Sequence, residues 1–102
     1  MSLKKQYLKT KPICKVTFRV SKKASQSAQR INLVGDFNNW SIIETPMKHL
    51  KNGEFTVTVD LETPKAYEFR YILDGTSWEN DWEADRYAPS SFSDAENSVV
   101  DV

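Results

Sequence analysis

The sequence predicts an all-β fold, an antiparallel sandwich of about seven or eight short strands. Three observations carry that expectation. Phe55-Thr-Val-Thr-Val-Asp-Leu61 alternates apolar and polar residues without a break, which is the period of a strand with one buried face. Turn-forming pairs recur between the apolar stretches at Asn52-Gly53, Thr63-Pro64 and Asp74-Gly75, each suited to reversing the chain. No stretch carries the three-to-four spacing of a long amphipathic helix. At 102 residues, 39% hydrophobic and 27% charged, the chain has material for one small core and a single domain.

The elements follow in order. Residues 1–12 read as an irregular, basic lead-in ending at Pro12, and residues 13–102 as the domain proper. Cys14 to Val20 alternates and predicts the first strand, with Cys14, Val16, Phe18 and Val20 sharing its inner face. Ser21 to Gln29 lacks any large apolar residue and reads as a surface loop. The β-branched run Ile31 to Val34 predicts a second, buried strand. A short strand over Met47 to Leu50 leads through Asn52-Gly53 into the alternating strand Phe55–Leu61. Ala66 to Leu73 is next, with Tyr67, Phe69, Tyr71 and Leu73 on one face and Glu68, Arg70 and Ile72 on the other. Glu79 to Glu96 is acidic and loop-like, and Val99, Val100 and Val102 predict a closing strand. The inward positions Cys14, Phe18, Leu33, Val57, Val59 and Phe69 are the expected core.

Several function classes are disfavoured. His49 is the lone histidine and stands beside no nucleophile motif, and no phosphate-cradling glycine loop can be built from Gly35, Gly53 and Gly75. The acidic run Glu79–Asp85 invites a calcium reading. Counted from Asp81, however, Arg86 and Phe92 occupy the places where an EF-hand loop needs Gly and Glu. Neither a metal, a cofactor nor catalysis is expected. Residues 1–30 hold nine Lys or Arg and no acid, while the rest holds all fourteen acids. A basic arm for nucleic acid or membrane would need further signatures that are missing here, so the division is read as charge complementarity between neighbouring strands. Met1–Lys5 runs into polar residues rather than a signal-peptide core, and Cys14 has no partner for a disulfide; a cytoplasmic location is expected.

The most informative stretch is Gly35-Asp-Phe-Asn-Asn-Trp40. Gly35 suits a kink as the strand leaves the sheet, and Asp36, Asn38 and Asn39 can close a loop through side-chain-to-backbone hydrogen bonds. Phe37 is expected to turn back into the core. Trp40 is then either a lid over that core or an exposed flat platform. Trp78, Trp82 and Tyr87 also fall outside the alternating core positions. Flat rings of this kind can stack on the apolar faces of pyranoses, with Asn38, Asn39, Asn80 and Asn97 as candidate amides for the hydroxyls.

Taken together, Leu33-Val-Gly-Asp-Phe-Asn-Asn-Trp40, Pro46-Met47, Tyr67-x-Phe69, Asp74-Gly75 with Trp78 and Asp81 behind it, and Asn97-x-Val99-Val100 resemble carbohydrate-binding module family 48. This early-set domain occurs on isoamylases and glycogen-branching enzymes of glycoside hydrolase family 13, and as the glycogen-binding domain of AMP-activated protein kinase β subunits. The resemblance covers roughly residues 13–102. It implies an immunoglobulin-like sandwich that binds α-1,4-linked glucans such as glycogen, starch and maltooligosaccharides. It also implies Trp40 and Trp78 as stacking platforms and Asn97 as a hydroxyl partner. Asn39 and Trp82 complete the candidate site. Three positions depart from the family pattern. Glu68 stands where the kinase-type domains carry a sugar-contacting lysine, Trp78 follows Asp74-Gly75 one residue late, and Trp82 replaces a common proline. The implied function is a non-catalytic α-glucan-binding module. The alternative is a docking domain for a glucan-metabolising enzyme, without sugar binding of its own.

Overall fold

In the computed structural model, which describes residues 2–90 and 95–102, the alternating segments pair into two antiparallel sheets. The first sheet has the order β1 (Ser2–Tyr7), β2 (Ile13–Val20), β5 (Phe55–Glu62), β4 (Lys48–His49). The second runs β3 (Ile31–Gly35), β6 (Ala66–Leu73), β9 (Glu96–Asp101), β8 (Arg86–Pro89), with β7 (Ser77–Glu79) beside the last residues of β6. The inner faces meet as an immunoglobulin-like sandwich. Cys14, Phe18, Leu33 and Phe69 are fully buried, as expected. The Phe18 ring meets Phe69 edge-on at 5.1 Å, and Phe69 meets Tyr71 edge-on at 5.8 Å.

Four expectations need correction. Residues 1–12 are not irregular throughout: Ser2–Tyr7 forms β1, paired with β2 from Ser2 opposite Arg19 to Tyr7 opposite Cys14. Leu3 packs against the core, and the lysines around it suit a sheet edge that must not recruit another chain. Their charge hid the strand, because half its residues face water. Val57 and Val59 pack against the core without being fully buried. β4 pairs only with Phe55 and Thr56, so β5 is an open edge beyond that point. The acidic segment Glu79–Glu96 is not a continuous loop: β7 ends at its first residue and β8 lies within it. Phe92, part of the calcium comparison, lies outside the described residues. Gly35 is needed for close approach rather than for a special backbone angle, as its φ of −174° is open to any residue.

One acid of that segment, Asp81, is structural. Asp81 is fully buried. Its carboxylate accepts the Tyr71 hydroxyl at 2.8 Å and the Glu83 N–H at 2.8 Å, while its carbonyl accepts the Tyr87 hydroxyl at 2.6 Å. Burial raises the Asp81 carboxyl above the ordinary carboxylate range, and the Glu83 and Tyr71 donors partly oppose that shift. Burial, with the Asp81 charge second, also pushes the Tyr71 phenol well above its usual range.

Because the folded carboxyl titrates above its unfolded value, ionising Asp81 costs stability. Its favourable contribution is complete below the ordinary carboxylate pKa and is lost as pH rises through the folded value. Tyr71→Phe removes a donor that holds that value down. The variant is expected to lose about 1–3 kcal/mol at pH 7, and less near pH 4, where more of Asp81 is protonated. Urea midpoints at the two pH values check this; an equal loss at both would exclude a charged Asp81 as the cause.

Candidate functional site

The Gly35–Trp40 loop is built by its own side chains. As β3 ends, Asp36–Asn38 makes one 3₁₀ turn, and Asn39 and Trp40 follow in the left-handed region at φ 56° and 57°. Asn38, buried, accepts the Gly35 N–H at 3.1 Å and donates to the Leu33 carbonyl and the Thr45 hydroxyl, both at 2.9 Å. Phe37 packs against the core, 5.9 Å from the Phe18 ring. Asp36 is a bracket. One carboxylate oxygen accepts the Trp40 indole N–H at 2.9 Å, and the other accepts the Glu68 backbone N–H at 2.8 Å.

That bracket ties Trp40 to the outer face of the second sheet. Tyr67, Phe69, Tyr71 and Leu73 belong to the core, so Glu68, Arg70 and Ile72 point the other way. Glu68 accepts the Asn97 side-chain N–H at 3.0 Å, and Asn97 accepts the Arg70 Nε–H at 2.6 Å. Polar contacts therefore run from Trp40 through Asp36 to the Glu68 backbone, and from the Glu68 carboxylate through Asn97 to Arg70. Glu68 engages neither Arg70 directly nor a base of the first strand; the neutral amide stands between the two charges.

Trp78 lies opposite Ile72 across the β6–β7 pair and so shares this outer face. It stands four residues along β6 from Glu68, roughly 13 Å at the usual strand rise. Its indole is 45% exposed, open enough to receive a flat ligand. Trp82 is more exposed still, at 61%, in the turn that Asp81 anchors; no ring contact joins it to the other tryptophans among the described residues. Asn39 is exposed at the loop tip. The fold thus links Trp40, Glu68 and Asn97 and sets Trp78 further along the same face. Trp82 and Asn39 stay apart from those contacts.

Sequence reasoning passed over Arg70 and the two exposed isoleucines after Trp40, Ile42 and Ile43. Arg70 had a signal: it occupies an outward position of β6 with the same parity as Glu68. Among the described residues no group of three or more His, Cys, Asp or Glu side chains is placed to hold a metal ion.

With this geometry in place, the chain can be compared with known protein families. A family model described as carbohydrate-binding module 48, the isoamylase N-terminal domain, matches residues 11–88. The matched stretch includes Trp40, Glu68, Trp78 and Trp82 and ends before β9, which carries Asn97. No curated protein sequence matches the chain.

Proposed function

The chain belongs to the carbohydrate-binding module 48 family, and from that premise we propose that it is a non-catalytic module for α-1,4-linked glucans of the glycogen and starch type. The observation that carries this reading is the single outer face bearing Trp78, Glu68 and Asn97, with Trp40 tied to its edge through Asp36. Indole faces supply apolar area for pyranose rings, and the polar groups of that face supply donors and acceptors for hydroxyls. Titration with linear maltooligosaccharides, followed by tryptophan fluorescence, tests it; absence of saturation with every member and no retention on insoluble starch would overturn it.

A second reading is a docking domain on a glucan-metabolising enzyme. Ile42 and Ile43, 46% and 79% exposed and separated from Trp40 by Ser41, favour it as an apolar tip. For either reading a cytoplasmic setting is proposed. No helix among the described residues is long and apolar enough to cross a membrane.

Glu68 is the position where polarity differs most from the kinase-type relatives. A carboxylate only accepts hydrogen bonds, whereas a lysine only donates them. Glu68→Gln keeps an oxygen for the Asn97 N–H while removing the charge. We expect it to alter the order of affinities across the maltooligosaccharide series, by about threefold or more for at least one member, which corresponds to roughly 0.7 kcal/mol. Identical affinities throughout would leave Glu68 as a surface charge beside the site.

A further inference from the structure

The basic first third of the chain is only partly accounted for by ion pairs. Lys5 reaches Asp85 at 2.6 Å, Lys15 reaches Asp60 at 3.0 Å, and Arg19 lies 3.9 Å from Glu54. Lys22 and Lys23, in the loop between β2 and β3, carry no ion pair among the described residues. They lie at the end of β3 opposite the Trp40 loop, and with Ser25, Gln26, Gln29 and His49 they line a cavity of about 760 Å³. Gly53 of the β4–β5 turn is also part of its lining.

The cavity is braced from several directions. The aliphatic stem of Lys22 lies against Gly53 so closely that a Cβ there would sit 2.8 Å from its Cγ and Cδ. Asp74 accepts the backbone N–H groups of Gln29 and Arg30 at 2.8 and 2.9 Å. Glu79 accepts the Gln26 side-chain N–H at 2.7 Å. His49 is stacked on Phe55 at 4.0 Å. Gln26 and Ser27 take left-handed backbone angles at φ 53° and 63°. Among the described residues no Asp or Glu lines the cavity. The acids beside it are already engaged: Glu79 and Asp74 as above, and Glu54 with Arg19 and the Asn52 amide.

We propose that this cavity is a binding site for an anion of phosphate-monoester type, separate from the glucan face. Its lining offers the ammonium groups of Lys22 and Lys23, which have no ion-pair partner among the described residues, with imidazole and amide donors beside them; the Ser25 hydroxyl is already spent on the Lys22 carbonyl at 2.6 Å. A phosphate has three terminal oxygens to receive them, and charge-assisted bonds of that kind are the strong ones. The volume falls within the range of small-molecule sites, about 300–1,000 Å³. The phosphate can come free in solution or as an ester on a glucan chain.

The first test uses inorganic phosphate and no sugar, so it is independent of the glucan reading. Phosphate added at constant ionic strength to ¹⁵N-labelled protein should shift the amide resonances of Ser25 to Gln29 and Gly53 saturably. Chloride should not. The double variant Lys22→Gln with Lys23→Gln should bind at least ~10-fold more weakly, with an unchanged melting temperature. Lys23→Gln alone serves should the double variant melt early, with a loss of about threefold or more expected from one charge-assisted bond. Equal shifts with chloride, or undiminished binding in the variants, would overturn the site. A maltooligosaccharide carrying one phosphate ester is then compared with its neutral parent. A preference of about tenfold that disappears in the variants assigns the phosphate to glucan; equal affinities, with inorganic phosphate still bound, assign it to a free anion. Failure of the neutral sugar to bind would count against the glucan reading alone.

Discussion

Gly35→Ala is expected to destabilise the domain by about 3 kcal/mol or more, at the upper end of what overpacking a core costs. An added Cβ would stand 2.6 Å from the Glu68 carbonyl oxygen, 2.9 Å from the Phe69 Cβ and 3.0 Å from the Phe37 ring. Two of these neighbours belong to β6, which pairs with β3 from Ile31 opposite Leu73 to Gly35 opposite Phe69. The strands would have to separate at the point where the loop begins. For a domain near 100 residues, 1 kcal/mol shifts the melting temperature by roughly 4–8 °C, so a fall of about 12 °C or more is anticipated. Thermal melts check it; a midpoint within about 2 °C of the parent would show that β3 and β6 absorb the methyl. The variant should also lose glucan binding, because Asp36 and Trp40 are positioned by that junction.

How far the sequence reveals this arrangement depends on which force sets each element. The core strands were legible because burial of one face writes a period of two into Cys14–Val20, Phe55–Leu61 and Tyr67–Leu73. β1, β7 and β8 were not, as their pairing rests on backbone hydrogen bonds to a neighbour that no local pattern announces. The polar loop closure was foreseeable from Asp36 and Asn38. The reach of Asp36 to the Glu68 backbone was not, since 32 residues separate them and only the β3–β6 register brings them together. Asp81 misled for the same reason. In sequence it is one acid among several, and only the fold shows it sealed beneath Tyr71 and Tyr87.

Trp40→Ala is expected to abolish retention on starch while changing the melting temperature by only a few degrees. One sugar face on an indole removes about 100 Å² of apolar surface, worth roughly 2–3 kcal/mol at ~25 cal/mol/Å². Two such platforms, reduced by the cost of ordering the sugar, place the parent dissociation constant between about micromolar and millimolar. Losing one weakens binding some 30- to 150-fold, beyond what a starch column retains. Stability should suffer little, because the half-buried Trp40 side chain bonds only to Asp36 among the described residues, and Asp36 keeps the Glu68 N–H. Trp78→Ala provides the comparison. The cross-strand partner of Trp78, Ile72, lies roughly 13 Å along β6 from Glu68, and Trp40 is tied to the Glu68 backbone through Asp36 on the β3 side, so a disaccharide cannot cover both platforms. Maltose should therefore respond to one substitution far more than to the other. A longer oligosaccharide should respond to both, with the two losses adding, as expected for side chains this far apart. If Trp40→Ala unfolds the domain and the parent never binds starch, Trp40 is a lid over the core. The exposed Ile42 and Ile43 then mark a docking face for protein.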